Sequence, residues 1–141
     1  MWIYNGKEFV DDDIGDYVGF VYIITNSISG KQYVGKKLFT KAKTNRTVKD
    51  GVVIKKRSSR VSSDWKSYYG SNEELKNDVK SLGSSNFKRE ILFLCKSKSE
   101  LSYRETYEIF SRHTLLGEGF YNSWCSCKIH KKNLKNMLTY S

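Results

Sequence analysis

Residues 19–37, GFVYIITNSISGKQYVGKK, predict a β-hairpin. Two apolar segments, residues 20–25 and 32–39, flank the turn-forming residues NSISG. Both segments are rich in the β-branched and aromatic side chains that favour strands. The hairpin carries two tyrosines and ends in a pair of lysines, a combination that asks for a chemical explanation in a basic protein.

The two tyrosines of this hairpin, Tyr22 and Tyr33, share a face only under a condition on the turn. Side chains alternate between the two faces of a strand, so an even number of turn residues puts both phenols on the same side. A four-residue turn over residues 27–30 meets this condition, whereas a five-residue turn over residues 26–30 does not. Aromatic side chains are common in strands, so a simple packing role for one or both tyrosines stays open.

The composition indicates a basic, single-domain protein. The chain has 141 residues, a net charge of +10 and three cysteines, an odd number that favours a reducing, cytoplasmic setting. We recognise neither a signal peptide nor an apolar run near the roughly 20 residues that cross a bilayer. Residues 31–66 alone hold twelve Lys or Arg and two Asp. That density predicts a polyphosphate partner, with a solvated loop that binds nothing as the alternative.

Patterns outside the hairpin predict an α+β domain with a small, mostly antiparallel sheet. In an N-terminal extension over residues 1–18, Asn5-Gly6 predicts the turn of a short hairpin. The polar, basic residues 40–63 predict a mobile loop with at most a small hairpin at DGVVI. The other predicted elements are a short helix that ends at Gly70, a helix after a Ser71 capping box, a strand over 86–95, a helix over 99–113 and a basic amphipathic helix within 123–141.

Several of these segments together resemble the GIY-YIG nuclease family. FVYIITN followed by YVGKK resembles the motif that names the family, although the first motif here, Gly-Phe-Val-Tyr, has one residue more than Gly-Ile-Tyr. DWKSYYGSN, SYRETYEIF and a late FYN resemble its later elements in the same order. The resemblance covers about residues 19–122 and is closest to small phage-encoded members similar to homing endonucleases.

This resemblance implies a fold, an activity and a cofactor. Family members fold as a three-stranded antiparallel sheet flanked by helices, and they hydrolyse DNA phosphodiester bonds with one divalent metal ion, here Mg²⁺ or Mn²⁺. The family usually has an arginine where this chain has Asp64, so the cation is expected from Arg60 or Arg57. Matched motif by motif, the other implied site residues are Tyr22, Tyr33, Lys36, Tyr68, Asn122 and, as the metal ligand, Glu105.

Elementary chemistry is consistent with these roles. A phenol with a pKa near 10 is a weak base unless nearby cations stabilise its phenolate, and the motif lysine, an arginine and a metal ion would do so. Glu105 shares a helical stripe with Leu101 and Ile109, so we expect an inward-facing carboxylate that needs a cation. An ordinary ion pair with Arg89 or Lys88 is the alternative to a metal ion.

Two features of the C-terminal part allow more than one interpretation. Asn122 could bind the phosphate, hold another site residue or simply form a turn. Cys125, Cys127 and His130 offer three zinc donors, although a structural zinc site has four. Two thiols beside a basic helix are the simpler interpretation.

The predicted partner is DNA in its double-stranded form, with no membrane and no small-molecule cofactor. The basic segment would bind mostly phosphates, which carry little sequence information. Too few residues follow Asn122 for a separate DNA-binding domain, so site preference would come from the loop, the final helix or a homodimer. A non-catalytic binding module, a decayed nuclease and an RNA-directed nuclease are the alternatives. The residues predicted to contact nucleic acid are Lys37, Lys41, Lys43, Arg46, Lys55, Lys56, Arg57 and Lys66.

Overall fold

The structure, a computed structural model, describes residues 1–134 and 137, without the side chains of residues 44–47 and 54–59. Its described part contains seven strands, two α-helices and several short 3₁₀ helices. The strands and helices are β1 (Trp2–Tyr4), β2 (Lys7–Phe9), β3 (Gly19–Asn26), β4 (Gln32–Leu38), β5 (Thr40–Lys49), β6 (Val52–Ser62), α1 (Glu73–Leu82), β7 (Phe87–Cys95) and α2 (Lys98–Ser111).

The central sheet has five strands in the order β2-β1-β7-β3-β4, so the expectation of three strands is wrong. The two additional strands are the predicted N-terminal hairpin, which turns at Asn5 and Gly6 and adds β1 parallel to β7. Trp2 explains this docking, because its side chain is 1% exposed and its indole nitrogen donates to the carbonyl of Trp65 at 2.7 Å. The sheet is otherwise antiparallel, and β4 lies at its edge.

The β3-β4 hairpin has the register that places both of its tyrosines on one face. Asn26 and Lys31 are joined by a backbone hydrogen bond of 2.8 Å, which leaves a four-residue turn between them. The side-chain oxygen of Asn26 accepts hydrogen bonds from the backbone amides of Ile28 and Ser29, so the residue that precedes the turn also stabilises it. Tyr22 lies opposite Gly35, and Ile24 lies opposite Tyr33.

The predicted mobile loop over residues 40–63 is instead a long β-hairpin formed by β5 and β6. The turn at Asp50 and Gly51, with φ of 53° and 76°, falls where DGVVI predicted one. The pairing continues from that turn to Thr40 and Ser62, with a bulge after Lys43. Pattern reading missed these strands because their sequence lacks the apolar alternation that signals a half-buried strand.

The two faces of the central sheet hold separate apolar clusters. One face packs Phe20, Tyr22 and Ile24 against aromatic side chains that include Trp2 and Trp65. The other face packs its residues, which include Val21, Ile23 and Val34, beneath α2, whose Leu101 and Ile109 are 2% and 4% exposed. Because neighbouring residues of β4 point to opposite faces, this strand contributes side chains to both clusters.

The ends of the helices differ in detail from the sequence predictions. Asn72, not Ser71, caps α1, because its side chain accepts the amide of Leu75 at 2.9 Å. The segment before it forms only a 3₁₀ turn, Trp65–Ser67. The predicted C-terminal helix is wrong over residues 123–130, which are irregular, and is followed by a 3₁₀ helix at Lys131–Leu134. Residues 135, 136 and 138–141 of that prediction lie outside the described residues.

None of the helices in the described ranges is long and apolar enough to cross a membrane.

Candidate active site

A glycine in β4 lets the two motif tyrosines approach the edge of the sheet. An added Cβ at Gly35 would lie 2.4 Å from the Tyr22 hydroxyl oxygen and 3.0 Å from Cε2 of Tyr33. The Tyr22 ring therefore lies across the backbone of β4, in space that any side chain at Gly35 would fill. Tyr22 itself is 1% exposed, and its ring centroid lies 6.2 Å from that of Tyr33.

A cavity of about 540 Å³ gathers side chains from both faces of the sheet at this edge. Tyr22 and Tyr33 reach it from one face, and Lys36 reaches it from the other. Glu105 enters from α2, and Asn122 enters from the segment that follows this helix. Five of the residues that the family resemblance singled out thus line one cavity, although 100 residues of sequence separate the first from the last.

Glu105 faces the cavity as a largely buried carboxylate. Its side chain is 17% exposed, and Lys36 Nζ lies 3.8 Å from its Oε1. Burial raises the pKa of Glu105, and Lys36 offsets part of this effect. The alternative pairing with β7 is wrong, because Lys88 lies 3.5 Å from Glu90 and Arg89 donates to backbone carbonyls.

The phenols of the site are held in their neutral form by the protein itself. Burial raises the pKa of Tyr22 well above its usual value, and the neighbouring phenols Tyr68 and Tyr33 raise it further. Burial also raises the pKa of Tyr33, although its contact with Ser71, at 3.2 Å between oxygens, lowers it in part. Lys36 is not among the groups that shift either pKa, so the predicted stabilisation of a phenolate would need the arginine or the metal ion that the prediction also named.

Tyr68 packs against the motif tyrosines from the side opposite α2. Its ring lies edge-on to Tyr22 at 6.0 Å between centroids, and Lys37 Nζ lies 4.0 Å from its centre. The neighbouring Tyr69 turns away and contacts the Arg89 guanidinium at 4.2 Å. Of this tyrosine pair, Tyr68 is the one beside the site.

The side-chain amide of Asn122 makes two hydrogen bonds to the backbone of a single residue of β4, Val34. Its Nδ2 donates to the carbonyl of Val34 at 2.9 Å, and its Oδ1 accepts the amide of Val34 at 3.0 Å. The preceding backbone already pairs with this edge, since Tyr121 donates to the carbonyl of Gln32. Asn122 therefore fixes the strand that carries Tyr33, which is one of the three interpretations that the sequence left open.

Tyr121, which sequence reasoning missed as a site residue, anchors the same segment. Its hydroxyl accepts from Asn26 Nδ2 at 3.0 Å and donates to Asp78 at 2.7 Å. It thus ties the turn of the β3-β4 hairpin to α1. The position beside Asn122 in FYN is the sequence signal that could have drawn attention to it.

The described residues place no arginine in the Tyr22–Glu105 cavity. Arg60 donates to the side chain and the carbonyl of Thr40, both at 2.8 Å, and lines a neighbouring cavity instead. Asp64, which stands where the family has an arginine, lies 2.6 Å from Lys37 Nζ. That contact lowers the pKa of Asp64. The side chain of Arg57 lies outside the described residues.

The residues predicted to contact nucleic acid fall into three groups. Lys37 and Lys41 line the neighbouring cavity with Arg60. Lys43 is exposed on β5, whereas Lys66 pairs with Asp11 and lines neither cavity. The predicted contacts whose side chains lie outside the described residues are Arg46, Lys55, Lys56 and Arg57.

The side chains of the cavity are compatible with one hard divalent cation. Mg²⁺ is commonly held by one or two carboxylates together with waters and substrate phosphate oxygens. Glu105 supplies such a carboxylate, and the phenolic oxygens of Tyr22 and Tyr33 line the same space.

In the part of the chain that the structure describes, no three His, Cys, Asp or Glu side chains cluster, so Cys125, Cys127 and His130 do not form a zinc site.

Comparison with known protein families identifies one match. The model of the family described as "Putative endonuclease segE, GIY-YIG domain" matches residues 2–125. Comparisons with curated proteins and with solved structures give no match. The family match begins within β1, so it includes the N-terminal hairpin that completes the five-stranded sheet. Since this match spans most of the chain, the protein belongs to the GIY-YIG endonuclease family.

Proposed function

We propose that this protein is a metal-dependent endonuclease that hydrolyses phosphodiester bonds of double-stranded DNA. The proposal is supported above all by the meeting of Tyr22, Tyr33, Lys36 and Glu105 around one cavity at the sheet edge. Family membership supports the endonuclease class, and the net charge of +10 supports a nucleic-acid substrate. A phage-encoded enzyme of the homing type, which would act in the host cytoplasm, fits the same features.

The contacts of three residues of the cavity support a role for each. Glu105 would hold one Mg²⁺ or Mn²⁺, and such an ion would supply charge neutralisation at the phosphate and help for the leaving oxygen. Lys36, 3.8 Å from Glu105 and hydrogen-bonded to Ser102, binds a phosphate oxygen. Asn122 acts indirectly, by fixing the backbone of Val34 beside Tyr33.

The attacking water gives its proton to the phenolate form of Tyr22 or Tyr33, which thereby becomes the neutral phenol. Both hydroxyls line the cavity, but burial keeps both pKa values above the usual range. Such a group is a base in only a small fraction of molecules at neutral pH. Hydrolysis by this route therefore depends on added positive charge near the phenol, which we assign to the metal ion, since no described arginine lines the cavity.

A plasmid-nicking assay with and without EDTA tests the proposal directly. We expect Mg²⁺-dependent nicking by the parent protein and a loss of at least about 100-fold in Glu105→Gln, with DNA binding retained. Glu118→Gln is the matched control, because Glu118 is exposed and lines neither cavity. Nicking that survives in Glu105→Gln or in EDTA would contradict the metal role.

A DNA-binding module without catalysis is the second candidate. It is favoured by Asp64, which takes the place of the family arginine and pairs with Lys37. A protein of this kind would bind duplex DNA with the expected salt dependence and would leave the plasmid intact with Mg²⁺ or Mn²⁺. A parallel assay on duplex RNA and single-stranded RNA separates an RNA-directed nuclease from both.

A further inference from the structure

A second cavity adjoins the proposed catalytic one and is dominated by positive charge. It has a volume of about 610 Å³ and shares Lys36 with the Tyr22–Glu105 cavity. Its walls come from the end of β4, the base of the β5-β6 hairpin and the first turn of α2. Five basic side chains line it, Lys36, Lys37, Lys41, Arg60 and Lys98, against one acid, Asp64.

Most of this positive charge is not neutralised by the surrounding protein. Two of the five basic side chains are paired, since Lys37 Nζ lies 2.6 Å from Asp64 and Lys36 Nζ lies 3.8 Å from Glu105. Within the described ranges, neither Lys41 nor Lys98 has an ion pair, although the charge of Lys41 acts on Asp64, and Arg60 donates hydrogen bonds to two oxygens of Thr40. Like charges in one concavity repel each other and concentrate the positive potential there, so an anion that enters the cavity relieves the repulsion.

The geometry points to a phosphodiester subsite: we infer that the second cavity binds a DNA phosphate one or two nucleotides from the scissile one. This inference rests on the proposed endonuclease function. Lys36 belongs to both cavities, so a strand whose scissile phosphate faces Glu105 continues past Lys36 to Lys41 and Lys98. Because the two cavities share Lys36, they are adjacent, and phosphates that follow each other by about 3.4 Å of axial rise per nucleotide can occupy both at a separation of one or two nucleotides.

Lys98 is a residue of this cavity that no sequence pattern singled out. It is the first residue of α2 and is exposed, so it looks like an ordinary surface lysine until the fold places it opposite Lys41 and Arg60. The same helix carries Glu105 two turns further on, and that common support fixes the two cavities relative to each other. The neighbouring phosphate thereby positions the scissile one, and a substrate that carries a charged phosphate at this neighbouring position is favoured.

A double-mutant cycle between enzyme and substrate tests this subsite. The substrates are one duplex with a mapped cut and its variants, each with a single neutral methylphosphonate one or two nucleotides to either side. We expect a loss of about tenfold in kcat/KM at one such position, and a similar loss for Lys41→Gln/Lys98→Gln on the unmodified duplex. When the double variant acts on the duplex with the methylphosphonate at that position, we expect no further loss in kcat/KM, because the two changes remove the same contact.

The controls make the failures distinguishable. Lys80→Gln alters an exposed lysine on α1 outside both cavities and is expected to keep the full methylphosphonate effect. An unmodified duplex that is not cut refutes the proposed function, and this inference with it. A duplex that is cut, but with less than a twofold effect at every position or with an effect that persists in Lys41→Gln/Lys98→Gln, overturns the subsite alone.

Discussion

Gly35 is the residue whose missing side chain determines the position of Tyr22. A Cβ at this position would lie 2.6 Å from Cζ of Tyr22, closer than side-chain carbons approach. Tyr22 cannot easily move away, because it is 1% exposed and packs edge-on against Trp2 at 5.2 Å between centroids. The glycine of the segment YVGKK is thus required by the Tyr22 ring that lies across it.

Gly35→Ala is therefore expected to displace Tyr22 and abolish cleavage. We expect a loss of about 1–3 kcal/mol in the free energy of unfolding, which is typical of overpacking in a filled core. Urea unfolding and the nicking assay measure the two effects. Gly117→Ala is the control, since a Cβ there meets nothing within 4 Å. Full activity in Gly35→Ala would show that the position of Tyr22 is not needed.

Glu105 gives a prediction for stability as well as for activity. Its raised pKa means that the folded state binds a proton more tightly than the unfolded state does. Stability is therefore lost as the pH rises above the ordinary glutamate value of 4.5. Glu105→Gln removes the cost of burying a charged carboxylate. The variant is therefore expected to be more stable than the parent protein at pH 7, where Glu105 is charged, but not more stable at pH 4.

Thermal unfolding at both pH values checks this sign. The expected rise in Tm at pH 7 is about 2–4 °C, which corresponds to roughly 1 kcal/mol for a chain of this size. A stabilised variant that no longer cuts DNA would be typical of a functional carboxylate held in an unfavourable place. A lower Tm at pH 7 would mean that the contact with Lys36 outweighs the burial of Glu105.

Among the elements, the segment after α2 holds the edge strand β4 through Asn122. Asn122→Ala removes two hydrogen bonds and leaves the amide and carbonyl of Val34 without them, so we expect a loss of about 2 kcal/mol. Cleavage should fall by roughly tenfold, since Val34 adjoins Tyr33 and Gly35. Asn133→Ala, at an exposed position, is expected to change stability by less than about 0.5 kcal/mol.

Equal stability of Asn122→Ala and the parent protein would show that water replaces the amide at the strand edge.

The elements also show what the sequence could and could not predict. The β3-β4 hairpin, β7 and α2 follow local patterns, namely strand propensity, turn residues and helical periodicity, and all three lie close to their predicted ranges. The docking of β1 on β7 depends on the burial of Trp2 against β3, a contact between distant parts of the chain that no local pattern reports. Asn122 is similar, because only the fold brings it to Val34.

At the scale of the whole molecule, the proposed catalytic site at the sheet edge is separate from a basic arm, the β5-β6 hairpin. The β5-β6 hairpin forms its own two-stranded sheet, and at about 3.3 Å per residue its strands extend roughly 33 Å. Residues 41–61 hold eight Lys or Arg and one Asp, a net +7 out of +10 for the chain. The charge that we expect to attract DNA and the residues proposed for catalysis therefore reside in different parts of the chain.

Deletion of this arm should weaken DNA binding while the rest of the fold survives. Thr40 and Ser62 are paired across the hairpin, so an Asn-Gly turn can replace residues 41–61 without moving the ends. We expect Tm to change by less than about 3 °C, because the arm forms a sheet separate from the central one. The slope of log K against log salt concentration should decrease in size by several units, since each phosphate contact contributes about 0.9. Fluorescence anisotropy on one duplex at several salt concentrations measures that slope, and an unchanged slope in a folded variant would show that the arm does not contact the DNA backbone.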